Sequence, residues 1–101
     1  MQDYVVLNED NFDQTIANGV VLVDFWATWC GPCMMMGEMI ARDLEPSHPE
    51  VTVVKVNVDE APDIAAAFGI MSIPALYCYD NGVKKAEFVG VTSITEILAA
   101  F

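Results

Sequence analysis

The most continuous apolar stretch in the chain runs from Val20 to Trp26 and is broken by Asp24 alone. A short run rich in β-branched residues is the pattern of a strand buried on both faces. Around it the apolar positions change period several times. Val5 to Leu7 predicts a short opening strand, and Asn8 a cap for the helix that follows, with Glu9 and Asp10 near its positive end. Phe12 and Ile16 lie four apart on one face of that helix, and Gly19 ends it. After Trp26, Cys30-Gly31-Pro32-Cys33 opens a second helix, where Pro32 suits a first turn because its missing N–H costs nothing there. Met36, Ile40 and Leu44 recur at a spacing of four, and Pro46 and Pro49 close the segment. Val51 to Val58 reads as the next strand, interrupted by Lys55 and Asn57, and Pro62 starts a short helix over 61–68 that Gly69 ends. Ala75 to Tyr79 and Lys84 to Val89 read as strands joined by Asp80-Asn81-Gly82, a strong hairpin signal. Ser93-Ile94-Thr95-Glu96 is a capping-box pattern, and Ile94, Ile97, Leu98 and Phe101 give the last helix an apolar face.

The element order is therefore β-α-β-α-β-α-β-β-α. Alternation in the first half implies parallel strands with helices on both faces, and the hairpin adds antiparallel ones. The expected class is α/β, with one mixed sheet of about five strands between layers of four helices. No linker, repeat or low-complexity segment divides the 101 residues, so a single domain over 1–101 is expected.

Charge narrows the partners. Acidic residues number 15 against 4 basic, a formal net charge of −11. Nucleic acid and anionic membrane surfaces need Lys and Arg to meet phosphates, so neither is an expected partner. Proteins with basic rims suit this balance, and so does solubility alone. The start, Met1-Gln2-Asp3-Tyr4, has no basic region followed by an apolar one, and no apolar run approaches the roughly 18 residues of a spanning helix. A cytoplasmic location is the expectation.

Three cysteines do not build a disulfide framework, but Cys30 and Cys33 form a close pair at a helix start. A disulfide needs Cα atoms within about 7 Å, which this spacing meets locally. Cys30 is expected at the exposed N-terminal end, where free N–H groups and the helix dipole favour the thiolate. Cys33, one turn in, is expected to be shielded. That asymmetry makes Cys30 the attacker of a substrate disulfide and Cys33 the thiol that resolves the mixed disulfide. Zinc is the alternative use of such a pair. It wants four ligands, and only Cys78, in an apolar strand, and His48, in a loop, remain. No metal or cofactor is expected. Asp24 stands out separately, because burial inside a strand raises a carboxyl pKa and makes it a proton acceptor for Cys33.

The stretch Val23-Asp24-Phe25-Trp26-Ala27-Thr28-Trp29-Cys30-Gly31-Pro32-Cys33 resembles the thioredoxin family. The resemblance continues through Lys55-Val56-Asn57-Val58-Asp59, Gly69-Ile70-Met71-Ser72-Ile73-Pro74, Asp80-Asn81-Gly82 and Val89-Gly90, in order and at family spacing. It implies the thioredoxin fold and protein-disulfide reduction. It implies a cis peptide before Pro74, packed against the cysteines, with the backbone of Ile73 offered to an extended substrate segment. Trp29, Gly31, Pro32, Val58 and Gly90 would frame a shallow apolar contact surface, and Lys55 would stand beside Asp24. The implied partners are disulfide proteins and a thioredoxin reductase, expected to be an NADPH-dependent flavoenzyme, with the chain acting as a monomer. Oxidation or isomerisation of disulfides, and a scaffold role, are the competing uses; Gly31-Pro32 is the dipeptide associated with reducing members. Two positions depart from the pattern. Met34 stands where Lys or Arg is usual, and Glu38 where a proline usually kinks the helix, so that kink loses its local cause.

Overall fold

The computed structural model of the chain describes residues 11–101, so the expected strand at Val5 to Leu7 and the cap at Asn8 lie outside the described residues. A short helix, α1 (Phe12–Ile16), leads into β1 (Val20–Trp26), through Gly19 at a φ of 72°. β1 is the centre of the sheet. On one side it pairs in parallel with β2 (Val51–Asn57), and on the other antiparallel with β3 (Ala75–Asp80), which pairs with β4 (Val83–Val89). The described residues thus form a mixed four-stranded sheet in the order β2-β1-β3-β4.

The near-continuous apolar run of β1 has its reason in the two layers that cover it. Val21, Val23 and Phe25 face a core shared with Ile16 of α1 and with Ile64 of α3 (Pro62–Phe68). Leu22 faces the other way, into a core with Met36 of α2 (Gly31–Met39), Ile40, Leu44, and Ile97 of α4 (Ile94–Ala99). Asp24 has the parity of Leu22, so it sits on the α2 face of the sheet. On the first face, Phe68 packs between Phe12, Phe25 and Tyr77 with ring centroids 4.9–5.0 Å apart, within the range of favourable aromatic pairs.

Sequence and structure part company in the long second helix. The spacing of Met36, Ile40 and Leu44 predicts one uninterrupted α-helix. Instead α2 ends at Met39 and Ile40–Leu44 is a π-helical turn, closed by the Glu45 N–H donating to the Ile40 carbonyl at 2.9 Å. Residues four apart drift about 40° round an α-helix at each step. The wider turn takes that drift back, and Ile40 and Leu44 both stay buried. The irregularity that a proline would have produced is supplied here by this turn.

The remaining ends follow local chemistry. Gly69 caps α3 in the left-handed region at φ 66°. Asn81 and Gly82 both take positive φ, 49° and 85°, the two-residue hairpin turn their identities predict. The Asn81 side chain also accepts from the Gly19 N–H at 2.8 Å, tying the hairpin to the start of β1. Ser93 caps α4 by accepting from the Glu96 N–H at 3.2 Å.

Candidate active site

β1 ends at Trp26, and the chain turns into α2 through Ala27-Thr28-Trp29. Cys30 is the N-cap of α2: its backbone is extended (φ −96°, ψ 105°), and its sulfur accepts from the Cys33 N–H at 3.2 Å. Its carbonyl accepts from the Met34 N–H at 3.2 Å. Gly31 and Pro32, both exposed, fill the first turn. Cys30 and Cys33 are joined in a disulfide, with Cα atoms 5.2 Å apart.

Cys30 is more enclosed than the sequence suggests. Cys33 is 1% exposed, as expected of the shielded partner, but Cys30 is only 6% exposed where an exposed residue was expected. The cause is packing. Ala27, Cys30 and Cys33 form a small cluster of their own, closed by Trp26, Val58 and Ile73. The Ile73–Pro74 peptide is cis, and the Ile73 carbonyl oxygen lies 3.8 Å from the Cys30 sulfur. Pro74 is buried, and its carbonyl accepts from the Gly90 N–H at 2.8 Å. Gly90 holds φ at 91°, a conformation that suits glycine. Cys30, Ile73, Pro74, Val58 and Gly90, far apart in sequence, are thereby gathered at one end of the sheet.

Trp29 lies across this end, 69% exposed, and its indole N–H donates to Asp59 at 2.8 Å. The sequence reading missed Asp59 as a supporting residue. The signal was present in Asn57-Val58-Asp59, but the turn that aims Asp59 is fixed by its own N–H donating to the Asn57 side chain at 2.9 Å. Met34, Met35, Met71, Val89 and Val91 are exposed, and with Trp29 they make this end apolar. Met36 is fully buried, a core residue.

Asp24 is fully buried, and among the described residues neither of its side-chain oxygens has a hydrogen-bond partner. Burial pushes its pKa up to about 6, against a smaller downward pull from the Lys55 ammonium. Asp24 and Lys55 are register partners in β1 and β2, with Nζ 3.8 Å from the carboxylate. Lys55 is half-buried rather than an ordinary exposed strand residue, and its ammonium lies over the Trp26 ring, 5.1 Å from the centroid. Gly37 makes room for it: a Cβ there would stand 3.1 Å from Nζ. Lys55, Cys33, Gly37, Glu38 and Glu45 all line one cavity of about 370 Å³ between α2 and the sheet. The third cysteine, Cys78, is fully buried in β3, and burial raises its pKa to about 11. Among the described residues, no three His, Cys, Asp or Glu side chains are grouped to hold a metal ion.

The thioredoxin family model matches residues 3–101. A thioredoxin of Alicyclobacillus acidocaldarius is 45% identical over 87 residues, covering 85% of this chain and 83% of that protein. One from Staphylococcus haemolyticus is 42% identical over 86 residues, with the same coverage. Among solved structures, the oxidised mitochondrial thioredoxin 3 of Saccharomyces cerevisiae superposes with a TM-score of 0.84 at 31% identity, covering 96% of this chain and 92% of that one. The thioredoxin of Malassezia sympodialis gives 0.81 at 35% identity, covering 99% and 91%. With the Cys30–Cys33 disulfide at the start of α2, these likenesses assign the chain to the thioredoxin family, as a protein-disulfide oxidoreductase that works by dithiol–disulfide exchange.

Proposed function

We propose that the chain, acting as one domain over 1–101, is a general reductant of protein disulfides, and that its residues divide the work as follows. The reduced Cys30 thiolate, favoured by the N–H groups of the first turn of α2, attacks one sulfur of a substrate disulfide. A Cys30–substrate disulfide forms and the first substrate thiolate leaves. Cys33 gives its proton to Asp24, directly or through water, and attacks the Cys30 sulfur. The second substrate thiolate leaves, and the Cys30–Cys33 disulfide remains. Two electrons pass to the substrate, whose sulfurs end as thiols. Lys55 steadies the charge that Asp24 carries in one of its two states.

The observation that carries this reading is the juxtaposition at the N-terminus of α2: a cysteine pair there, the Ile73 carbonyl 3.8 Å from Cys30, and a carboxyl with a pKa of about 6 on the α2 face of the sheet. A group that titrates near neutrality can both take and release a proton at working pH. The Ile73 backbone offers strand-like hydrogen bonds to an extended segment, with Trp29, Gly31, Pro32, Val58, Pro74 and Gly90 around it. The fully oxidised product is returned to the dithiol by a thioredoxin reductase, an NADPH-dependent flavoenzyme, so that the chain carries electrons between the two. The protein works as a cytoplasmic monomer. Among the described residues no helix is long and apolar enough to cross a membrane.

Insulin-disulfide reduction tests the assignment. Cys30→Ser abolishes it, and Cys33→Ser retains the first step and accumulates a mixed disulfide on Cys30. Equal activity of the wild type and Cys30→Ser would overturn the reading.

A further inference from the structure

The loop 90–92, which follows β4 and meets Pro74, is held from behind by a sulfur. Thr92 is 7% exposed, and its backbone N–H donates to the Met36 sulfur at 3.4 Å. The Thr92 hydroxyl donates to the Gly90 carbonyl at 3.0 Å, and the Gly90 N–H in turn donates to the Pro74 carbonyl at 2.8 Å. Pro74 follows Ile73, whose carbonyl lies 3.8 Å from the Cys30 sulfur. One continuous path thus runs from the middle of α2 to the reactive end of the same helix, crossing two loops on the way.

A buried N–H needs an acceptor, and a thioether is a weak one. Packing alone would be met at position 36 by Leu or Ile, which fill similar volume. Neither carries an acceptor, and either would leave the Thr92 N–H facing hydrocarbon. We infer that Met36 is a positioning residue for substrate binding: its sulfur fixes Thr92, and through it sets the height of the 90–92 loop beside Pro74 and Ile73. The exposed Val89 and Val91, on either side of Gly90, are the side chains whose placement this link governs. The inference rests on the reading that Ile73, Pro74 and Gly90 receive the substrate segment.

Met36→Leu separates the sulfur from the bulk. Losing one neutral hydrogen bond corresponds to about a two- to tenfold change in an equilibrium. The Thr92 amide is expected to exchange with solvent faster by that factor while the amides of β1 keep their rates. KM for insulin is expected to rise about threefold, and kcat by a smaller factor or not at all. Ile40→Leu, in the same core but with no acceptor to offer the Thr92 N–H before or after the change, is the control for repacking. Unchanged exchange at Thr92, an unchanged KM, or an equal rise of KM in Ile40→Leu would each overturn the inference. Thr92→Val keeps the N–H and removes the hydroxyl link to Gly90. It is expected to raise KM in the same way, and it decides the matter if Met36→Leu does not fold; an unchanged KM there counts against the link. The exchange measurement uses no substrate, so failure of the disulfide-reduction reading and failure of this link are told apart.

Discussion

Replacing Asp24 by Leu should stabilise the folded protein, and by an amount that depends on pH in a defined way. Asp24 is fully buried without hydrogen-bond partners among the described residues, and its pKa is about 6 against an ordinary 3.8. At about 1.4 kcal/mol per pH unit, that gap corresponds to about 3 kcal/mol. Below pH 4 the carboxyl is protonated whether the chain is folded or not, so the charge costs nothing. Between pH 4 and 6 the folded protein holds a proton that the unfolded chain has released, and folded stability falls as pH rises. Above about pH 6 both states are ionised, and the full cost of about 3 kcal/mol stands. Leu at this position removes the whole dependence. In urea unfolding of the oxidised protein, the advantage of Asp24→Leu over wild type should therefore grow from pH 4 and level off above pH 6. With a urea dependence of about 2 kcal/mol per molar, the midpoint gains about 1.5 M from this source. If Asp24 takes the Cys33 proton as proposed, the same variant should resolve mixed disulfides about tenfold to a hundredfold more slowly at pH 7. A stability difference that is flat with pH, or that widens as pH falls, would refute the reasoning.

Lys55→Met removes the ammonium 3.8 Å from that carboxylate, so Asp24 should titrate above 6, and the pH profile of insulin reduction should move up with it. Unmoved profiles would show that Lys55 acts elsewhere. Asp59→Ala frees the Trp29 indole from its 2.8 Å hydrogen bond. Its fluorescence anisotropy should drop and KM for insulin rise about two- to fivefold, the scale of one exposed hydrogen bond. Gly82→Ala places a Cβ at φ 85° in the hairpin turn and should cost about 1 kcal/mol, a loss of about 4–8 °C in melting temperature, with activity retained.

The parts of the fold that could be read in the sequence are those where one local rule acts alone. The near-continuous apolar run of β1, the Asn81-Gly82 turn, Ser93 with Glu96, and Gly69 after α3 each follow from burial, positive φ or an unmet N–H within a few residues. The π turn at Ile40–Leu44 could not be read that way. It arises because the sheet requires both side chains on one face, and nothing in Ile-Ala-Arg-Asp-Leu declares it. The site divides similarly. The cysteine pair and the buried Asp24 are visible as a motif and as a carboxylate out of place. Resemblance added Lys55 and Ile73-Pro74, whose neighbours come from other strands and loops. Asp59, Gly37 and the Met36–Thr92 link were not legible. They are contacts between residues about 18 to 56 positions apart, and only packing brings them together.

Cys78 gives the molecule an experimental convenience that its cysteine count conceals. Sealed in β3 with a pKa of about 11, that thiol is withheld from alkylating reagents as long as the chain is folded. Mass added by a thiol label under native conditions therefore comes from the active pair alone, and first from Cys30, since Cys33 is itself only 1% exposed. The folded protein carries its own reading of its oxidation state, and label arriving at the third sulfur signals that the barrier around it has opened.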